Sequence, residues 1–321
     1  MPPGRGLLIW CTYLSGLLLI FTGAQLSPLG YLLAGILAPL PVLLAGGRLG
    51  DRAALGLALA GVAFILALNP GLETLWQNAG FLSLLLMGLL LSVMQHRGLS
   101  APRAILFTVI TLSGLALLVL LGQAFYQGSS PLALMAQRGA EIMETVRQVL
   151  GEGSGAAGVP LIPGVSPAEA EATLQRLLPG LVVTNTGLVA WLNVALARQL
   201  DFLRTGQKPA PPLYQWVLPE WVIFGVLGAG FMLFIPVKAL RFISLNLLLV
   251  LVVLYFCQGL AVVAAWFNRL GLPRLLRAIS YPLMFLNPLF FLIITLGVLD
   301  LWLDFRRLHR RPGDAGGGIE S

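Results

Sequence analysis

Charge is scarce in this chain. Of its 321 residues only 10% are Asp, Glu, Lys or Arg, whereas 58% are apolar, and the mean hydropathy is +0.89. Soluble domains carry about 25% charged and about 45–50% apolar residues. So little charge does not cover a globule in water, which excludes an ordinary water-soluble enzyme and leaves lipid as the main solvent.

Cysteine and histidine are scarcer still. The two cysteines, Cys11 and Cys257, each lie inside an apolar run and give no disulfide framework. The two histidines, His96 in a loop and His309 in the tail, have no cysteine or paired carboxylate at ligand spacing, so no metal site and no cofactor is read. Gly-x-Ser-x-Gly, His-Glu-x-x-His and Walker A patterns are absent. No enzymatic activity is therefore expected, and active transport would need energy from another protein. Gly153, Gly155 and Gly158 spell G-x-G-x-x-G, but no strand leads in and Pro160 follows, so the stretch reads as a linker.

What is present is a series of apolar runs. Nine approach the roughly 20 helical residues that cross a bilayer core of about 30 Å: 7–23, 26–46, 53–68, 79–94, 102–125, 181–200, 217–235, 242–267 and 281–301. The first is read as a retained span rather than a signal peptide, because a second begins at Leu26. Trp216, Trp221, Trp266 and Trp302 fall near span ends, as interfacial indoles do. The fold class expected is an all-α, polytopic transmembrane helical bundle of eight or nine spans.

One polar excursion interrupts the series. Between Tyr126 and Gly180, Ser130-Pro131 opens an amphipathic helix through Leu132, Met135, Ile142, Val146 and Val149; Ser166-Pro167-Ala168-Glu169 forms a capping box for a second helix ending at Leu178, stopped by Pro179. The insertion carries five acids and three arginines, which favours a small extramembrane cap over a helix lying on anionic lipid. The expected organisation is 1–125, N-terminal spans; 126–180, helical insertion; 181–305, C-terminal spans; and 306–321, a basic and then flexible tail.

The net charge of +7 is distributed in a way that sets orientation rather than implying nucleic acid. With the N-terminus inside, Arg48 and Arg52, Arg97 and Arg103, and Arg198, Arg204 and Lys208 fall inside, and Glu73 and the acidic insertion outside. Nine spans place eleven basic residues inside and nine outside; a non-crossing 217–235 segment places fourteen inside and six outside, with the tail cytoplasmic. A multi-pass protein of the cell (inner) membrane is expected.

Polar residues within spans are the candidate site, because each is costly in hydrocarbon. Thr184, Asn185, Thr186 and Asn193 share one span, with Asn185 and Asn193 about 80° apart on the helix. Asn246, Tyr255 and Gln258 share another, where Gly259 permits close approach of a second backbone. Asp300 and Asp304 lie one turn apart at the end of the last run, with Arg307 three residues beyond Asp304. Asn193, Asn246, Gln258 and Asp300 are the candidate solute-binding residues; amide bridging between helices and interfacial ion pairing are the alternatives. Trp302, Asp304, Arg306 and Arg307 are candidate interfacial or partner contacts.

The residues Leu218-Pro219-Glu220-Trp221, Asn246 to Val250, Tyr255-Phe-Cys-Gln258-Gly259, and Gly297-x-x-Asp300-x-Trp302-x-Asp304-Phe-Arg306-Arg307 form a recognisable set. In these the chain resembles the YybS-like family of bacterial multi-pass membrane proteins, distantly similar to the S-components of energy-coupling-factor transporters. That resemblance implies a helical bundle that binds a small solute and works with a transmembrane coupling protein and its ATPases. The chain departs from the six-helix S-component pattern in having more spans and an inserted polar segment. A structural or assembly role in the envelope, exerted through 126–180, is the alternative function.

Overall fold

The computed structural model describes residues 3–68, 70–71, 74, 78–141, 167–206, 217–284, 286 and 288–306. Glu73, Trp216, Arg307, His309, the 142–166 half of the insertion and the Arg310-Arg311 pair lie outside the described residues. Among the described residues every regular element is a helix. Two compact units form, Met1–Gln207 and Lys208–Ser321. The span at 181–200 thus packs with the N-terminal spans instead of with the C-terminal group into which its sequence position placed it.

Among the described residues seven helical segments are long and apolar enough to cross a bilayer: Arg5–Leu26, Gly30–Leu49, Asp51–Leu68, Ala79–His96, Ala101–Gln127, Ala172–Thr205 and Lys238–Arg269. The two remaining apolar helices, Val222–Phe234 and Leu289–Leu303, have 13 and 15 residues, or about 20 and 22 Å at 1.5 Å per residue. Both fall short of a 30 Å core. Prolines shorten them. Pro219 and Pro236 bracket the first, and Pro282 and Pro288 divide the 281–301 run.

Besides a helix at 131–141, the first unit holds α1 (Pro3–Leu26), α2 (Pro28–Leu37), α3 (Pro39–Leu49), α4 (Asp51–Leu68), α5 (Ala79–His96), α6 (Ala101–Gln127) and α7 (Pro167–Thr205). The sequence of α3, Pro-Leu-Pro-Val-Leu-Leu-Ala-Gly-Gly, is the most deeply covered. Val42 and Ala45, three residues apart, join Leu17, Ala54, Leu57 and Leu85; Leu43, on another face, joins Met87, Leu91, Leu112, Val189 and Val194. A helix apolar all round is one surrounded on all sides. By contrast α6 leaves Leu106, Phe107, Ile110, Leu117 and Leu118 exposed, an apolar surface fit for lipid.

The proline expected to stop the second insertion helix does not do so. Residues 167–205 run as one helix with Pro179 inside it. Helix 131–141 packs Gly139 against Gln175 and Leu178, so that a Cβ there would come within 3.0 Å of both side chains. Packing from outside thus supports the turn whose hydrogen bond proline deletes. His96, read from sequence as a loop residue, is the last residue of α5.

The second unit comprises α8 (Val222–Phe234), α9 (Lys238–Arg269), α10 (Arg274–Leu283) and α11 (Leu289–Leu303). The long α9 packs against α8 and α11. Leu218 and Val222 meet Leu251 and Tyr255 on one side, and Phe256 and Val263 meet Met284 and Ile293 on another. The Ser244 hydroxyl donates to the Ala229 carbonyl, clipping α9 to α8. Short and amphipathic, α10 exposes Leu275, Ile279 and Leu283 at four-residue intervals, while its Arg277 donates to the Phe267 and Leu272 carbonyls at 3.0 and 2.9 Å. A cation there favours the end of α9. Burial pushes the Tyr281 hydroxyl above the usual phenol range, against the opposing charge of Arg277.

Candidate functional site

The last helix is built to stop. After Leu303, Asp304 takes a left-handed conformation (φ 39°) and its N–H donates to the Asp300 carbonyl at 3.2 Å. Asp tolerates this region better than most non-glycine residues. The turn reverses what a continuing helix would present: six residues on, a straight helix would place residue 306 well around from residue 300, but here Arg306 folds back onto Asp300.

That contact is buried and charged. Arg306 Nε and Nη2 donate to Asp300 Oδ2 at 2.9 and 2.5 Å, with side chains 1% and 3% exposed. Gln258 Nε2 approaches the same oxygen at 3.4 Å, and Gln258 Oε1 accepts the Leu218 N–H at 3.1 Å. The glutamine therefore links the carboxylate to the loop preceding α8. Arg269 fixes the turn from the other side, donating to the Phe305 and Arg306 carbonyls at 3.1 and 2.5 Å. Edge-on packing of Phe305 against Trp266, at 5.9 Å between centroids, completes the anchor.

A cavity of about 290 Å³ adjoins this pair. It is lined by Val217, Leu218, Pro219 and Glu220 from the loop before α8 and by Asp300, Leu301, Asp304 and Arg306 from the end of α11. Asp300 Oδ1 is buried without a hydrogen-bond partner among the described residues. Buried acceptors are rarely left so, and each such case calls for an explanation.

Of the candidate binding residues, the structure therefore brings together Gln258 and Asp300. The other two make different contacts. Asn193, in the first unit, donates through Nδ2 to the Ile36 and Val189 carbonyls, each at 2.7 Å. Pro39 and Pro41 have no N–H, so the carbonyls of Gly35 and Leu37 lose their helical donors; Asn193 bonds the carbonyl between them and ties α7 to the broken α2–α3 junction. Asn185, which shares the helix, is exposed. Asn246 donates to the Phe242 carbonyl at 2.8 Å within its own helix.

The Asn193 bridge has a measurable consequence. Asn193→Leu is expected to cost about 0.5–1.5 kcal/mol by removing the hydrogen bond to the Ile36 carbonyl, whereas Asn185→Leu on the exposed face is expected to stay within about 0.5 kcal/mol. Thermal unfolding midpoints of the two variants in one detergent check this.

The terminal cluster also differs from expectation. Trp302 is 64% exposed, suited to an interface, but Arg306 is turned inward rather than toward headgroups, and Asp304 closes the helix. Spacing suggests Asp304 and Arg307 as a pair, and Arg307 lies outside the described residues; among the described residues Asp300 pairs with Arg306. Reading the sequence alone also missed a second polar cluster, in the first unit. His96 Nδ1 lies 2.5 Å from Asp51 Oδ1, and Arg48 pairs with Asp201 at 3.0 Å while lying over the Tyr13 ring. Among the described residues no group of three His, Cys, Asp or Glu side chains is placed to hold a metal ion.

A family model described as predicted membrane protein (DUF2232) matches residues 15–301. The chain belongs to the DUF2232 family of predicted membrane proteins. No curated protein and no solved structure matches it. The DUF2232 match takes in both units and includes Asn193, Asn246, Gln258 and Asp300; the Asp304 turn and Arg306 lie just beyond it. With its apolar helices, family membership makes the chain a multi-pass membrane protein in contact with the bilayer.

Proposed function

We propose that this DUF2232 protein is transport-related and binds a small solute in the cavity beside Asp300, in the manner of a transporter's substrate-binding subunit. The observation that carries the reading is that Asp300, a buried carboxylate whose Oδ1 has no hydrogen-bond partner among the described residues, lines a cavity of about 290 Å³. Ligand pockets are typically about 300–1,000 Å³, apolar with a few placed polar groups; here Val217, Leu218, Pro219 and Leu301 supply the apolar part. Buried polar groups that fold to a fixed geometry are the usual means of orienting a small ligand. A chain without a nucleotide-hydrolysis motif would draw its energy from a coupling protein and ATPases in the inner membrane, the partners implied by the resemblance to S-components.

Purification in mild detergent, followed by mass spectrometry of retained small molecules, tests this. The native chain is expected to carry a recurring small solute that Leu301→Trp, which fills the cavity, abolishes while helix content by circular dichroism is unchanged. Identical small-molecule content in both would overturn the reading. A stable envelope protein as the sole companion of both would favour an assembly role through residues 126–180.

A further inference from the structure

We infer that residues 270–306 form a re-entrant hairpin, entering and leaving the bilayer on the cytoplasmic face, where α9 ends, and that the Asp300 cavity is reached from that face. The access route rests on reading the cavity as a solute site; the hairpin stands without it.

The first observation is direction. Partners along α9 and α11 advance together: Phe256 meets Phe290 at 4.8 Å between centroids, Gly259 lies against Ile293, Trp266 packs on Phe305, and Arg269 donates to the Phe305 and Arg306 carbonyls. The two helices therefore run parallel. Successive helices that each crossed the bilayer once would be antiparallel, so here the chain comes back between them.

The second is length. At 1.5 Å per residue, α10 and α11 extend only about 15 and 22 Å, and neither crosses a core of about 30 Å. The return leg follows α9 backwards: Arg277 donates to the Phe267 carbonyl, the Tyr281 ring lies 5.9 Å from that of Phe267, and Met284 joins Phe256, Val263 and Ile293 in one buried cluster. Non-helical backbone at membrane depth is tolerated where protein covers it, as the burial of Met284 does here.

The third is charge. Arg269, Arg274, Arg277, Arg306, Arg307, Arg310 and Arg311 flank or follow the hairpin, seven against the two basic residues Lys238 and Arg241 at the start of α9. That excess marks the face at Arg269 as cytoplasmic. Any scheme in which 281–301 crosses parts Arg269 from the tail; the hairpin unites them.

The cavity sits toward the same face. Gln258, which reaches Asp300, is about 16 Å along α9 from Arg269 and about 30 Å from Lys238. Asp304 and Arg306, where the hairpin ends, line the cavity. On the Lys238 side α8 is packed onto α9, Val222 against Leu251 and Ser244 bonded to Ala229, which closes that route.

Single-cysteine variants of the full chain, on a Cys11→Ser, Cys257→Ala background, test this with a membrane-impermeant maleimide applied to right-side-out and inside-out vesicles. Lys238→Cys is expected to react only in right-side-out vesicles, and Leu270→Cys and Ser321→Cys only in inside-out ones. Leu286→Cys, at the turn of the hairpin, is expected to react in neither. A peptide tag after Ser321, detected by antibody in the same vesicles, gives the side of the tail without a cysteine.

Leu270→Cys and Ser321→Cys reacting from opposite faces would overturn the hairpin, as would Leu286→Cys reacting from the face of Lys238→Cys. Both reacting only in right-side-out vesicles would overturn the cytoplasmic assignment. Glu220→Cys, on the cavity lining, is expected to react from the face of Leu270→Cys; reaction from the other face, or from neither, would overturn the access route alone. Failure of the solute reading is separate: a native chain that retains no small solute removes the site, whereas the labelling of positions 238, 270, 286 and 321 is unchanged.

Discussion

Arg306→Met is expected to destabilise the second unit by about 3–5 kcal/mol, the cost of leaving a buried carboxylate without its counterion. Two guanidinium nitrogens converge on Asp300 Oδ2, both side chains are almost wholly covered, and the one further donor to that oxygen, Gln258, stands at 3.4 Å. Methionine fills much of the same volume, so the loss falls on electrostatics rather than packing. Arg306→Lys is expected to lie between, because a single ammonium does not reproduce the two-pronged approach.

The double variant Asp300→Asn, Arg306→Met distinguishes a stabilising pair from a mutually dependent one. Neither residue then leaves a charge behind. Replacing a buried pair as a whole is often neutral or stabilising even where breaking it is severe, so most of the single-variant loss is expected to return. Cys257 gives a local probe: with exposed Cys11 changed to Ser, a thiol-reactive dye reports the opening of α9 during heating. A drop in midpoint for Arg306→Met no larger than for an exposed substitution would contradict the assigned role. Equal losses in the single and double variants would show that packing, not charge, is at stake.

The sequence foretold some of this arrangement and hid the rest for identifiable reasons. Membrane-length helices are legible because a bilayer imposes a minimum length and composition, and seven of the nine apolar runs meet it. The two that fall short are cut back by Pro219 and Pro236 and by Pro282 and Pro288, and one of them, 217–235, is also the segment whose crossing disturbed the distribution of positive charge. Asp300 and Gln258 were visible as polar residues in apolar surroundings. Arg306 was not, since helical periodicity assumes that the helix continues, and a left-handed residue at 304 redirects the next two side chains. An aspartate at the end of an apolar run is a weak indicator of such a turn compared with glycine. Asn193 was conspicuous by composition, but only the tertiary fold shows that its amide is occupied by the Ile36 and Val189 carbonyls. Likewise α7 belongs with the first unit by packing, which sequence order does not record.

Gly259→Val is expected to separate α9 from α11, with a loss of more than about 3 kcal/mol, above the usual range for overpacking a core. In lipid, helices associate through close packing of small residues rather than through exclusion of water, and here the approach is between backbones. A Cβ on Gly259 would fall on the Ile293 carbonyl group, and one on Gly297 on the Tyr255 carbonyl group and the Gly259 nitrogen. Flexible side chains yield to an added methyl, whereas helical carbonyls do not without moving the helix. Even Gly259→Ala and Gly297→Ala are therefore expected to be costly. Gly228 and Gly230 on α8 are the controls, having nothing within 4 Å of an added Cβ; alanine there is expected to be neutral or to stabilise by about 0.5–1 kcal/mol through helix propensity. The same crossing places Gln258, one residue before Gly259, beside Asp300, three residues after Gly297. Splaying the helices is thus expected to release the Gln258 link and the cavity together: in Gly259→Val, retention of a small solute on purification should vanish along with protection of Cys257. Retained protection of Cys257 at wild-type temperature would show that the crossing tolerates the added side chain.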